Sequence, residues 1–180
     1  MSDVQEFYKT KRDQLVRDYE GFRPDPYLDG EGIPTVGYGT TEYPDGSAVS
    51  LNDSPVTMET AEEMMQNKLT EFTTQMETNP DFTALSPSQK AALGSFAYNT
   101  GPGTVTNPKG YETLQGAIKS GDSEQIGDAM AMYINKGSSS ETGLRRRRAA
   151  ENLLLNQLYP AKEKFQSIVD DFNSAMGSNI

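Results

Sequence analysis

The residue types able to do acid and base chemistry gather in one stretch of this chain, Tyr19 to Thr41, which reads YEGFRPDPYLDGEGIPTVGYGTT. Glu20 is followed nine residues later by Asp29 and, six further on, by Thr35. Two carboxylates in unlike surroundings can take opposite roles, one giving a proton while the other manages a water. Glu20 sits between Tyr19 and Phe22, where desolvation would raise its pKa and keep a proton for a leaving oxygen. Asp29, in a glycine-rich turn, would stay ionised, and the Thr35 hydroxyl could hold a water against it. Spacing alone does not separate this reading from a blander one, in which Glu20 ends a helix, Asp29 forms a turn and Thr35 occupies a strand.

The flanking patterns describe the elements that must position these groups. Val4, Phe7, Tyr8, Leu15, Val16 and Tyr19 recur at helical spacing, so a helix with one apolar face leads up to Glu20, and Gly21 is a natural stop. Pro24 and Pro26 forbid further helix, Asp29-Gly30 and Glu31-Gly32 supply turn residues, and Ile33 to Tyr38 reads as a strand. Thr40 to Ser54 is polar and turn-rich. Thr57 then caps a long helix whose apolar face is Ala61, Met64, Met65, Leu69, Phe72 and Met76. Ser86-Pro87-Ser88-Gln89 carries the signature of a capping box, and the helix it opens is apolar or small on most sides up to Asn99, stopping at Gly101. Asn99, at that end, either caps the helix or reaches a cleft. Shorter helices are expected over Tyr111 to Lys119 and Asp122 to Asn135, the second with Asp122 and Gln125 as a capping pair. Gly137 to Ser140 reads as a loop, Leu153 to Leu158 as part of a helix ending before Pro160, and Phe165, Ile168, Val169 and Phe172 as the face of a last helix.

Composition narrows the class. The chain has 180 residues, enough for a single unit with a sizeable core, expected here as 1–56, 57–160 and a last helix at 161–180 packed on the rest. A net charge of −10 argues against nucleic acid, whose phosphates reward clustered Lys and Arg. The basic run Arg145 to Arg148 does not overturn this, because four successive helical positions point different ways; Arg147 or Arg148 is better read as a partner for the carboxylates. The first residues hold no apolar export region, and no run approaches the roughly 18 apolar residues of a membrane span. With no Cys and no His, thiolate and imidazole metal sites are excluded. Asp25, Asp29 and Gly30 imitate part of a calcium loop, but Tyr27 and Val36 stand where oxygen ligands are needed. Gly37 and Gly39 lack the third glycine of a dinucleotide loop. No metal and no cofactor is expected.

Three blocks together resemble the phage-type lysozymes, the endolysins of tailed phages. They are Glu20-Gly21-Phe22 with Tyr27-Leu28-Asp29 and Pro34 to Gly39, then Gln89 to Gly101, then Gly143 to Glu151. The first is the specific one. The resemblance implies an α+β lysozyme-like fold, with a small lobe bearing a β-hairpin, a long connecting helix and a mostly helical large lobe. It also implies hydrolysis of the β-1,4 bond between N-acetylmuramic acid and N-acetylglucosamine in bacterial peptidoglycan. Glu20 would be the general acid, Asp29 and Thr35 would manage the water, and Tyr38, Asn99, Arg147 and Arg148 would bind substrate or support the site. A monomer held in the host cytoplasm until a holin releases it to the wall is the expected setting. A lytic transglycosylase, a virion-associated lysozyme and a non-catalytic wall binder are the alternatives. The sequence departs from the family in placing Thr40 where His usually follows the Gly-Tyr-Gly, and in offering only Tyr133 or Ile134 where a Trp precedes the last block.

Overall fold

A computed structural model of the chain describes residues 3–107 and 109–157. The expected helix at 161–180 lies outside the described residues. Helix α1 (Asp3–Glu20) leads into an antiparallel hairpin of β1 (Arg23–Leu28) and β2 (Pro34–Gly37), then α2 (Met58–Met76) and the short α3 (Pro80–Thr83). Helices α4 (Pro87–Thr100), α5 (Gly103–Thr106), α6 (Glu112–Ser120), α7 (Ser123–Ala131) and α8 (Glu141–Leu155) complete the described chain. This is the lysozyme-like α+β arrangement.

The large lobe is built around α4. Its start is the capping box expected from sequence, Ser86 accepting from Gln89 N–H while Gln89 accepts from Ser86 N–H, and its residues from Ala91 to Tyr98 are buried. Phe82, Leu93, Phe96, Leu114, Ile118, Ile126, Met130 and Leu154 pack around it. Fully burying one such side chain contributes about 1.5 to 3 kcal/mol, so this cluster is the rigid body on which the site is mounted. Asp122 caps α7 through Gln125 N–H, as expected, although α7 stops at Ala131 rather than Asn135.

Helix α2 joins the lobes. Met76, at its end, belongs to the large-lobe core, whereas Met64, nearer its start, packs on Val36 of β2 and on Val49. Gly37 marks the closest approach: its φ of +66° needs glycine, and a Cβ there would come within 2.8 Å of Ala61 Cβ. Arg17 pairs with Glu62, and Gln66 donates to Asp13 at 2.9 Å, so α1 and α2 hold each other side by side.

In three places the structure departs from the expectations or adds to them. Arg23–Leu28, of which the prolines said only that it is not helix, is a strand; in a two-stranded sheet both strands are edges, and an edge tolerates residues that cannot donate to the ladder. The pairing is irregular between Arg23 and Tyr27, which absorbs Pro24 and Pro26. Val4 and Phe7, expected on the core face of α1, are exposed at 55% and 49%, and burial becomes complete only at Leu15 and Val16. The first turns of α1 run past the core, and Phe7 packs edge-on against Tyr8 instead. The short α3 and α5 are formed by segments whose sequences carry no helical period.

Candidate active site

Glu20 is the last residue of α1, and Gly21, at φ +69°, turns the chain away from it. Its carboxylate meets two things. One oxygen accepts from Arg147 Nη1 at 2.6 Å; the other lies so close to Gly39 that a Cβ there would stand 3.1 Å from it. The apolar pocket expected around Glu20 is therefore replaced by a guanidinium on one side and bare backbone on the other.

Arg147 is itself fixed by buried charge. Its Nε donates to Glu151 at 3.2 Å and its Nη2 to the Ser95 carbonyl at 3.0 Å. Glu151 is fully buried and also takes Arg148 and, at 2.9 Å, the Ser95 hydroxyl. An anion this deep is stable only when paired and hydrogen-bonded, and here both oxygens are served. The helical phase of α8 explains the division of the four arginines: Arg147 and Arg148 are buried, while Arg145 faces solvent and pairs with Glu141. Tyr19 ties the two helices together, donating to the Arg146 carbonyl at 2.9 Å, and burial pushes its phenol up to about 12.

Asp29 occupies the hairpin turn. Its Oδ1 accepts the N–H groups of Glu31 and Ile33, both at 2.9 Å. The Ile33 N–H above all, then those of Glu31 and Gly32 and the charge of Lys68, hold its carboxyl below the usual carboxylate range. Thr35, on β2 opposite Tyr27, is buried at 2% exposure and donates its hydroxyl proton to the Ile33 carbonyl at 2.9 Å. Its oxygen remains an acceptor. Burial raises the Tyr27 phenol, and the charges of Glu20 and Asp29 push it the same way against Arg23.

Of the other expected residues, Arg147 alone hydrogen-bonds to Glu20 or Asp29 among the described residues. Tyr38 is a core residue, packed on Phe22 with ring centroids 5.7 Å apart, and its carbonyl takes the Tyr98 hydroxyl at 2.6 Å. Asn99 accepts from Arg148, so it serves the ionic cluster rather than only capping α4. Arg148 also reaches the Tyr133 carbonyl and does not touch Glu20. Thr40, in the position of the family His, is buried and turns its hydroxyl to the Val36 carbonyl. Tyr133 packs edge-on against Phe96 at 5.1 Å, filling the aromatic place beside α4.

Glu151 and Lys68 are the functional-site neighbours that sequence reasoning missed. Glu151 stands four residues after Arg147 and three after Arg148, a spacing that faces all three together. Lys68 interrupts the apolar stripe of α2, falling on the same face as Ala61, Met64, Met65 and Phe72.

The fold and this constellation define a glycoside hydrolase of lysozyme type. The phage lysozyme family model matches residues 17–151, and the chain belongs to that family. Among solved structures it is similar to an endolysin from Escherichia coli O157:H7 phage FAHEc1, at 25% identity and a TM-score of 0.67, covering 84% of this chain and 94% of that one. The muramidase domain of SpmX from Asticaccaulis excentricus shares 22% identity at a TM-score of 0.62, over 80% and 93% of the two chains. A mutant of P22 lysozyme shares 24% at 0.61, over 81% and 94%. A search of curated proteins found no match. Among the described residues, no helix is long and apolar enough to cross a membrane.

Proposed function

We propose that this lysozyme, a peptidoglycan-hydrolysing endolysin, cuts the β-1,4 bond between N-acetylmuramic acid and N-acetylglucosamine with inversion at the anomeric carbon. Glu20 protonates the leaving oxygen. Arg147, 2.6 Å away, stabilises the carboxylate that this leaves behind. Asp29, kept ionised by its turn, takes a proton from the attacking water. Thr35, its own proton committed to the Ile33 carbonyl, accepts a hydrogen bond from that water and fixes its direction. Inversion requires the carboxyl groups to stand roughly 6.5 to 9.5 Å apart, so that the water fits between Asp29 and the sugar. A threonine holding water would be superfluous beside a direct nucleophile.

The observation that carries this reading is the unequal setting of the two carboxylates, one clamped by a buried arginine at a helix end and one held ionised on a turn. The enzyme acts as a monomer and reaches the wall from the host cytoplasm when a holin opens the membrane. Digestion of purified peptidoglycan with mass analysis of the fragments tests the reaction. Reducing muramic ends are expected; anhydro ends would make it a transglycosylase, and no released fragment would make it a binder.

A further inference from the structure

Lys68 is an amine on the apolar stripe of α2, where a methionine would fill the same space without the cost of desolvating a charge. Burial lowers its pKa from the ordinary lysine range, against the opposing pull of Glu20. Among the described residues no carboxylate pairs with it at contact distance. Its Nζ instead donates to the Gly39 carbonyl at 2.9 Å and lies 4.5 Å from the centre of the Tyr98 ring. Tyr98 in turn donates to the Tyr38 carbonyl at 2.6 Å. Two successive carbonyls of the bend after β2 are thus held from behind, one by α2 and one by α4.

That bend is the surface on which Glu20 rests. Gly39 adopts φ +75° and presents its Cα to Glu20 Oε2, so a shift of the Gly39 peptide moves the floor under the acid. The charged and titratable groups around Lys68 come from every neighbouring element: Glu20 from α1, Asp29 from the hairpin turn, Glu71 from α2 itself and Arg147 from α8. Tyr98 comes from α4, and Glu42 and Tyr43 line the small-lobe pocket that Lys68 shares. Arg147 already serves Glu20 and Glu151.

We propose that Lys68 is a positioning residue of the hydrolytic site, holding the Gly39 peptide against Glu20 and supplying the positive charge whose field reaches both Glu20 and Asp29. This rests on the reading of those residues as acid and base.

The test is the pH profile of kcat/KM on purified peptidoglycan for the whole chain and for Lys68→Met, Lys68→Gln and Lys68→Arg. An ammonium favours an ionised carboxylate, so its removal lets Asp29 hold its proton to higher pH, and the acidic limb of the bell moves upward. A displacement of about half a pH unit is expected for Met and Gln, with that limb unmoved for Arg. Met should also lose about tenfold in kcat, since it cannot hold the Gly39 carbonyl, and Gln should lose less. A folded Met variant with a wild-type acidic limb overturns the proposal, since a packing role would lower only the melting temperature. If Met does not fold, the acidic limb of Gln decides in the same way. A wild-type chain that releases no reducing ends overturns the hydrolase reading itself, and the role of Lys68 with it.

Discussion

Glu20 is held by Arg147, itself fixed by Glu151 and the Ser95 carbonyl with Arg148 sharing Glu151, whereas Asp29 is held by peptide N–H groups of its own turn. The partner of Glu20 is 127 residues away in sequence; the partners of Asp29 are two and four away. The acid therefore depends on the whole large lobe being folded, with α1, α4 and α8 in register. The proposed base depends on the hairpin, with the charge of Lys68 on α2 added to it. A group that must hold and release a proton needs an environment fixed to a fraction of an ångström, and a buried ion network supplies it. A group that need only stay ionised and orient water can sit on a turn.

The sharpest way to break this contrast is to remove the acid alone. Glu20→Gln keeps the shape and a hydrogen-bond acceptor for Arg147, so activity should fall about a thousandfold or more while the melting temperature stays within about 3 °C. Residual activity near wild type would remove Glu20 from its role. The complementary change acts on stability. Glu151→Gln leaves Arg148, at 3% side-chain exposure, buried without its anion, and leaves Arg147, at 4%, with Glu20 alone. Breaking such a pair costs about 3 to 5 kcal/mol, so calorimetry should find the melting temperature lowered by about 10 °C. An unchanged melting temperature would mean that the cluster is not what holds α8 to α4.

On the hairpin side the effects should be smaller and confined to rate. Thr35→Ala removes one neutral hydrogen bond to the water, worth about 0.5 to 1.5 kcal/mol, and should slow turnover roughly 2- to 10-fold with melting unchanged. A larger loss of stability than of rate would show Thr35 to be a core residue only. The smallest effect concerns the outer surface. At a net charge of −10 the chain is repelled by anionic walls at low salt, so lysis should hold or rise as salt approaches about 0.15 M. Turbidity assays that show a steep fall over that range would contradict this.

The same contrast explains what could be read from the sequence. The turns that frame the site were legible because their signals are local: Gly21 ends a helix and Asp29-Gly30 turns the chain. Glu20, Asp29 and Thr35 were candidates by residue type and spacing, and the resemblance to the family is what singled them out. The ionic cluster was not legible residue by residue, since choosing among four arginines requires the phase of α8, and that phase is fixed by where the helix meets α4. Lys68 left a trace, a polar break in an apolar stripe, but its partner is a backbone carbonyl, and a carbonyl carries no side-chain signature. Strand β1 was hidden by prolines that an edge strand accepts. Val4 and Phe7 misled because helical period reports a face and not whether anything covers it.

The stereochemistry of the first product tests the central claim most directly, that Asp29 and Thr35 direct a water instead of Asp29 attacking the sugar. Proton NMR during the earliest turnovers of a soluble peptidoglycan oligomer should show the new reducing end as the α-anomer, before mutarotation mixes the two. A β-anomer at first appearance, or a glycosyl ester trapped on Asp29, would contradict the account.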